Sequence, residues 1–412
     1  MTIRVDTMRR IDHLAGVPLC AILTPVVYLY DYVRGRISPQ SLQPKKVLFI
    51  ELSEMGSAIL VDPAMRATLA RGAEIYFLIF KSNAASLSLL QTVPRHRILL
   101  IDASSLSALI KTSLKVIIKM HRLEIDTVID LELFSRFTAL LTGFSGARRR
   151  VGFHIFHGEG LWRGDLLTHK VHYNPHLHIA KNFLSLVHAA FSSVLEIPFS
   201  KIPLADTPIE LAQAVVTQTQ KDAMTQRIAQ MLGRDELSEN TPIILINPNA
   251  SDLLPQRRWA PERFAQLIQA AASRWPNAIF LLTGATQEYD YVQNVLDLAT
   301  SSRAFNFAGM VDFTELPTLY HVSSLMVTND SGPGHFSAVT PMPTVVLFGP
   351  ETPALYGSLG KSIPIFAGLA CSPCVSAANH RKTPCTNNVC MQAIEVPQVL
   401  DAMNEWLSIH GA

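Results

Sequence analysis

Apolar residues recur along this chain in short continuous runs. Each run is followed by a longer stretch in which apolar positions return every three or four residues. KKVLFIEL, AEIYFLIF, RILLID, DTVIDL and RRVGF form a first series, separated by helix-patterned segments reaching to about Leu90, His121 and Leu141. The alternation restarts with PIILINP, AIFLLTG, AFNFAG, SLMVTND and TVVLFG, with helices expected over Pro261 to Ser273, to Leu298, over Phe313 to Val322 and from Ser331. Uninterrupted apolar strands joined by amphipathic helices predict parallel sheets covered on both faces. The pattern therefore predicts an α/β chain of two tandem Rossmann-like, doubly wound domains, residues 45–205 and 241–412, joined by a helix-bearing linker over 206–240. Ligands of such sheets bind outside the carboxyl ends of the strands, so two sheets facing one another would frame a cleft.

Residues 1–44 stand outside this pattern as an apolar helical extension. Leu14 to Tyr30 carries no charged side chain, with Arg4, Arg9 and Arg10 before it and Arg34, Arg36, Lys45 and Lys46 after it. A spanning helix needs about 20 apolar residues, and this run is shorter and holds Pro18 and Pro25. YLYDYVRGR is a poor cleavage site for a signal peptide. Basic flanks and the tyrosines Tyr28, Tyr30 and Tyr32 suit a helix lying in an anionic membrane interface. Packing on the chain's own domain and a true span are the alternatives.

Composition narrows the class. The 412 residues are 48% hydrophobic and 17% charged, which excludes a disordered chain and leaves material for two cores. Lys+Arg 35 against Asp+Glu 33 is too balanced to suggest nucleic acid as a partner.

Candidate chemistry gathers at strand ends of the second series. In SLMVTNDSGPGHFSAV an apolar strand ends at Asp330, and Ser331-Gly332-Pro333-Gly334 opens a helix with His335 in its first turn. Glycines permit close backbone approach, and free N–H groups at a helix start attract phosphate oxygens; Asp330 would cap the helix or bind a hydroxyl. INPNASDLLPQRRWAPERF brings Asn249, Ser251, Arg257 and Arg258 into the loop after another strand, with Trp259 expected to anchor the helix start. Arginine suits a diphosphate because its fork holds two oxygens at once. LFGPETPALYG repeats the logic with Gly349, Glu351 and Thr352. The bland alternatives are an ordinary strand-to-helix turn and a solvated basic loop.

These three segments resemble glycosyltransferase family 9, the ADP-heptose:lipopolysaccharide heptosyltransferases. The likeness runs over residues 45–405, where VLFIELSEMGSAILVDPAM is similar to the family's opening strand and glycine turn, and residues 158–183 resemble the acceptor-side region of some members. The resemblance implies a GT-B fold, an inverting mechanism without a catalytic cofactor or metal, and a nucleotide-diphosphate sugar held by the second domain. It places Arg257 on the diphosphate, and Asp330, Ser331, Gly332 and His335 in the donor-binding turn. It also implies a glycolipid or lipopolysaccharide-type acceptor and a place in the cytoplasm, peripheral on the inner membrane face. One departure stands out: Gly56-Ser57 replaces the family's Gly-Asp, whose Asp is the expected base. A serine cannot accept the proton alone. Glu54 is the first substitute, with Asp130 or Glu132 next and Glu51 a further option. A nucleotide-sugar epimerase and a binding protein that has lost its base are the rival readings.

Two clusters remain. Cys371-x2-Cys374-x10-Cys385-x4-Cys390 has the spacing of a tetrahedral structural site for zinc or iron, with disulfides or plain free thiols as alternatives. His154, His157, His169, His172, His176, His178 and His188 crowd one stretch without an acidic or cysteine partner at metal spacing. A sugar- or phosphate-facing loop with Arg163, Lys170 and Lys181 is their expected use.

Overall fold

The computed structural model describes the chain except for residues 1–4, 38–42, 53–54, 134, 158–159, 239–240, 377–378, 380 and 410–412. Two compact units divide it, Met1–Glu210 with Ala377–His380 and Leu211–Ser376 with Arg381–Ala412. Each is built on a six-stranded parallel sheet, as the alternating pattern predicts, and the pair of sheets is the GT-B-like plan that the family resemblance implies.

The first sheet comprises β1 (Lys46–Ile50), β2 (Glu74–Phe80), β3 (Ile98–Ile101), β4 (Thr127–Asp130), β5 (Arg149–Phe153) and β6 (His169–Val171). Its order is β3-β2-β1-β4-β5-β6, so the winding reverses between β1 and β4. Leu48, Ile50, Leu78 and Val128 pack against Val116 and Met120 of the helix Leu106–Arg122 and Leu141 of the helix Arg136–Phe144. Fully buried side chains of this size each contribute about 1.5–3 kcal/mol. The stretch after β1 breaks at Val61 into two helices, Met55–Leu60 and Asp62–Leu69, because Pro63 lacks the N–H that would continue the first.

The N-terminal extension is helical as expected, over α1 (Val5–Leu14) and α2 (Gly16–Ile37). The helix outruns the apolar stretch and takes Pro25 into its interior. By length and composition, Gly16–Val33 could cross a membrane. Yet one face of α2 packs inward: Cys20, Leu23 and Val27 are buried with Ala139 and Leu166. Asp31 pairs with the buried Arg150 at 2.5 Å, and Asp12 of α1 pairs with the buried Arg136 at 3.1 Å.

The second sheet comprises β7 (Ile243–Asn247), β8 (Ile279–Leu282), β9 (Ala304–Asn306), β10 (Leu325–Asn329), β11 (Thr344–Phe348) and β12 (Ser362–Phe366), ordered β12-β11-β10-β7-β8-β9. The linker helix lies at Gln218–Met231, started by a capping box between Thr217 and Gln220. Ile246, Phe264, Ile268, Phe280, Val327 and Met403 fill the core. Trp259 is 1% exposed and donates Nε1–H to the Ile394 carbonyl at 3.0 Å, anchoring the start of the helix Pro261–Arg274 as the sequence suggests.

Candidate functional site

Register brings three strand ends of the second sheet level. Thr328 pairs with Asn247, and Asn329 pairs with Leu347, so β7, β10 and β11 release their loops at one edge. Asn329 stitches those loops: its Nδ2 donates to the Pro248 carbonyl at 2.9 Å, and its Oδ1 accepts from the Trp259 amide at 3.0 Å. The loop after β7 is thereby tied to β10 before any ligand arrives.

Arg257 ends the short turn Pro255–Arg257 and points into this edge. Its Nη2 donates to Glu351 Oε2 at 2.7 Å, and its Nε lies 3.6 Å from Asp330 Oδ2. Arg381 approaches the other oxygen of Glu351 at 3.3 Å and stands 4.8 Å over the Tyr356 ring. Side-chain exposure is 12% for Arg257, 5% for Asp330 and 3% for Glu351. Two arginine forks are thus oriented by two buried carboxylates. Such an array recognises a group with several anionic oxygens, because each fork can donate in parallel to two of them.

The expected helix cap is corrected here. Asp330 faces Arg257, and Ser331 occupies the N-cap position of Gly332–Phe336 in extended backbone. Its hydroxyl donates to the Asn329 carbonyl at 3.1 Å. Pairing a buried carboxylate with a cation outweighs a neutral capping bond. The glycines also have reasons of their own. A Cβ on Gly332 would meet the Phe336 ring at 2.9 Å, and one on Gly349 would strike Met391 Sδ at 2.4 Å. These glycines serve internal packing, whereas Gly334 has only ordinary contacts, at 3.5 Å to Thr328. His335 sits partly exposed beside it.

Other predicted donor residues hold the loops in place. Asn249 Nδ2 donates to the Thr283 carbonyl at 3.0 Å, and Ser251 Oγ accepts from the Leu253 amide at 3.2 Å. Arg258 binds the Ala250 carbonyl and Asp252. Thr352 caps the helix Pro353–Tyr356, accepting from the Ala354 amide at 3.3 Å. Sequence reasoning left out Asn329 and Arg381. The signal for Asn329 was its place at a strand end, and for Arg381 only the Arg-Lys pair inside the cysteine loop.

Among the described residues, Cys20, Cys371, Cys374, Cys385 and Cys390 form no disulfide with one another. Among the described residues no group of three or more His, Cys, Asp or Glu is placed to hold a metal ion. Cys371 is exposed on a turn, Cys374 turns to Thr383 and Cys385 to Asn387, while Cys390 lies buried under Gly349. Burial raises the Cys390 thiol pKa, with Cys374 and Cys385 nearby adding to it. The loop has a visible mechanical role. Gln256 donates to the Cys385 carbonyl at 2.9 Å and Asn388 donates to the Arg258 carbonyl at 3.1 Å, bracing the residues on either side of Arg257.

In the first sheet, Asp130 ends β4 and is fully buried. Arg163 donates to its Oδ2 at 2.7 Å, Thr138 to the same oxygen at 3.1 Å, and the Glu132 amide to Oδ1 at 3.2 Å. Burial pushes its pKa up to about 6, against the pull of Arg163. Its oxygens are turned to its neighbours, so Asp130 is a structural pin and not a base open to an acceptor. Glu132 is partly exposed, and its Oε1 accepts from the Leu52 amide at 2.8 Å at the end of β1. Glu51 is buried at 5% exposure. Glu54 lies outside the described residues. Gly56 is buried in the first turn of Met55–Leu60, with Ser57 partly exposed beside it.

The cationic acceptor loop is also corrected. Arg163 is locked on Asp130, Lys170 pairs with Asp165 at 2.6 Å, and Lys181 donates to the Ala205 carbonyl. His169 contacts Thr168 Oγ1 through Nδ1 at 2.8 Å and lies on the Phe199 ring. Burial, with Arg149 and Arg150 alongside, lowers its pKa to about 4. His178 caps the helix Ile179–Phe191 by accepting from the Ala180 amide at 3.2 Å.

Comparison with known proteins agrees with this architecture. Residues 114–383 match the family profile "Glycosyltransferase family 9 (heptosyltransferase)". Lipooligosaccharide heptosyltransferase 2 of Haemophilus ducreyi is 30% identical over 149 residues, covering 35% of this chain and 42% of that protein. The matched stretches span about a third to a half of the length of the curated relatives. The fold is similar to that of E. coli ADP-heptose lps heptosyltransferase II, with a TM-score of 0.66 at 20% identity over 89% of this chain and 100% of that one. A glycosyl transferase family 9 protein from Veillonella parvula gives 0.66 at 18% identity over 90% and 99%.

Proposed function

Because the chain belongs to glycosyltransferase family 9, the heptosyltransferases, we propose that it transfers heptose from ADP-heptose to a lipopolysaccharide-type acceptor. One observation carries this reading: Arg257, Asp330, Glu351 and Arg381 converge on a single edge of the second sheet, inside the family-matched stretch. An acceptor hydroxyl oxygen attacks the anomeric carbon as the bond from that carbon to the diphosphate oxygen breaks. The bonding pair leaves with the diphosphate, the hydroxyl proton passes to a carboxylate, and the anomeric configuration inverts. Negative charge grows on the leaving diphosphate, and Arg257 and Arg381 are the cations oriented to stabilise it without a catalytic metal. Glu351 and Asp330 hold Arg257 ready, which removes reorganisation from the reacting step. Glu54 and Glu132 are the carboxylates proposed to receive the proton.

The test is thermal unfolding against ADP, UDP, GDP and CDP and their sugars, beside a transfer assay with ADP-heptose. Adenine nucleotides should stabilise the chain, and Arg257→Ala should abolish that shift. A chain that no nucleotide stabilises sinks the proposal. Ser57 favours a second reading, a nucleotide-sugar-binding protein without catalysis. Stabilisation by the donor with no transfer, and no effect of Glu54→Gln or Glu132→Gln, would establish it. Zinc or iron on Cys371, Cys374, Cys385 and Cys390 is a separate proposal. It requires the thiols to close up from their present placement, and equimolar metal in the purified chain supports it while metal-free protein removes it.

A further inference from the structure

The first unit carries two helices whose outward stripes are apolar and whose inward stripes are firmly held. On α2 the exposed stripe is Leu19, Ile22, Val26, Leu29 and Val33, spaced three or four residues apart and so on one face. On the helix Leu106–Arg122 it is Leu106, Ile110, Leu114 and Ile118, each 48–57% exposed, while Ser113, Val116 and Met120 face the core. The helix Arg136–Phe144 packs against both, so the two stripes belong to helices flanking a common neighbour. A soluble monomer rarely leaves two such stripes in water without a partner for them.

Charge identifies the partner. The helix Leu106–Arg122 contains no acidic residue, and Lys111, Lys115, Lys119 and Arg122 are exposed on it. In α1 and α2, Asp12 and Asp31 turn inward to Arg136 and Arg150. Arg10 is exposed before α2, Lys45 is exposed beyond it, and the sequence places Arg34 and Arg36 in its last turns. Apolar stripes rimmed by cations fit the interface of an anionic bilayer.

The seating of α2 decides between lying on a membrane and crossing it. A Cβ on Gly143 would meet Leu23 at 2.8 Å, and one on Gly164 would meet Thr24 Oγ1 at 2.9 Å, so the helix is fitted into the domain surface. Gly164 also has a φ of +76°, a backbone geometry that glycine adopts freely. Tyr28 donates to Asp165, and the Asp165 amide donates to Thr24 Oγ1 at 3.0 Å. Moving α2 into a bilayer would leave the buried Arg150 without Asp31, and drawing α1 along with it would leave the buried Arg136 without Asp12. We propose that α2 and the helix Leu106–Arg122 together form a docking face that seats the first unit on an anionic phospholipid surface, with α2 lying in the interface and not spanning it.

Vesicle flotation of the full chain tests this, using phosphatidylglycerol-containing and pure phosphatidylcholine vesicles. The chain should float with the anionic vesicles only, release in high salt, and remain extractable by alkaline carbonate. Ile22→Ser with Val26→Ser, and separately Lys111→Glu with Lys115→Glu, should each weaken binding about tenfold or more. Unchanged unfolding temperatures and unchanged stabilisation by ADP would show that these variants fold, and keep this test apart from that of donor binding. No flotation with anionic vesicles overturns the proposal, as does retention after carbonate extraction, which marks a spanning helix. A concentration-dependent dimer that the same substitutions dissolve, without vesicle binding, assigns the stripes to a second copy and also overturns it.

Discussion

Each sheet carries an Asp–Arg pair at the end of a central strand, and the two pairs serve different ends. Asp130, the last residue of β4, is fully buried and receives donors from Arg163, Thr138 and a backbone amide at 2.7–3.2 Å. Asp330, after β10, faces Arg257 at 3.6 Å, and that arginine is shared with Glu351 and remains 12% exposed. The first pair closes a strand end; the second orients a fork toward a surface a ligand can reach. Aspartates at the ends of corresponding strands in two sheets of one topology can therefore look alike in sequence and differ in what their charges face.

Breaking the first pair gives the largest expected effect. Asp130→Asn leaves Arg163 buried opposite a neutral amide and should cost about 3–5 kcal/mol in denaturant unfolding, while the folded fraction keeps its donor affinity. A stable Asp130→Asn chain that has lost transfer would instead make Asp130 the base. Next comes His169. It stays neutral in the fold down to about pH 4, whereas an unfolded histidine protonates near 6.5, so protons bind the unfolded chain first. His169 should therefore contribute a loss of about 3 kcal/mol as pH drops from 6.5 to 4, seen as the difference between wild type and His169→Phe. Asp130 tilts the other way: its folded pKa of about 6 lies above the ordinary carboxylate range, so its contribution is present at low pH and is lost as pH rises through 6. The His169→Phe curve is therefore read as a difference from wild type.

Perturbing the second pair should change binding more than folding. At a hundredfold excess over the dissociation constant, a donor nucleotide stabilises by about 2.7 kcal/mol, and Arg257→Ala should lose that increment. Arg257→Lys should keep part of it, since charge remains but the fork does not. Glu351→Gln should raise the donor KM about tenfold, or roughly 1.4 kcal/mol, by releasing both arginines. The smallest effect expected is that of a chelator, which should leave the initial transfer rate unchanged. A rate that collapses with chelator and returns with a divalent ion would transfer the charge-stabilising role from arginine to metal.

Much of this molecule was legible beforehand. β1 to β5 and β7 to β11 all fall in the apolar runs, because a strand buried on both faces must be apolar throughout. β6 and β12 escaped for local reasons. HKV has three residues, and SIPIF is an edge strand that tolerates Pro364 and stays only partly buried. The candidate donor edge was legible as a set of loops, since Arg257, Asp330 and Glu351 each follow a strand or its end. Their mutual pairing was not, because Arg257 and Glu351 are 94 positions apart in sequence. The histidine-rich stretch misled, since crowding in sequence gave no warning that His169 is buried and His178 is a cap.

What the sequence determined by itself was the α/β class, the two-sheet plan, the helical extension and the family, since all of these follow from periodicity and short motifs. Only the tertiary structure decided which charges face each other. Placing Arg163 on Asp130, Arg381 on Glu351 and Arg150 on Asp31 required chain segments brought together by packing. A side chain's charge is a property of its residue type, but whether that charge holds a fold, a ligand or a membrane depends on the partner that burial puts opposite it.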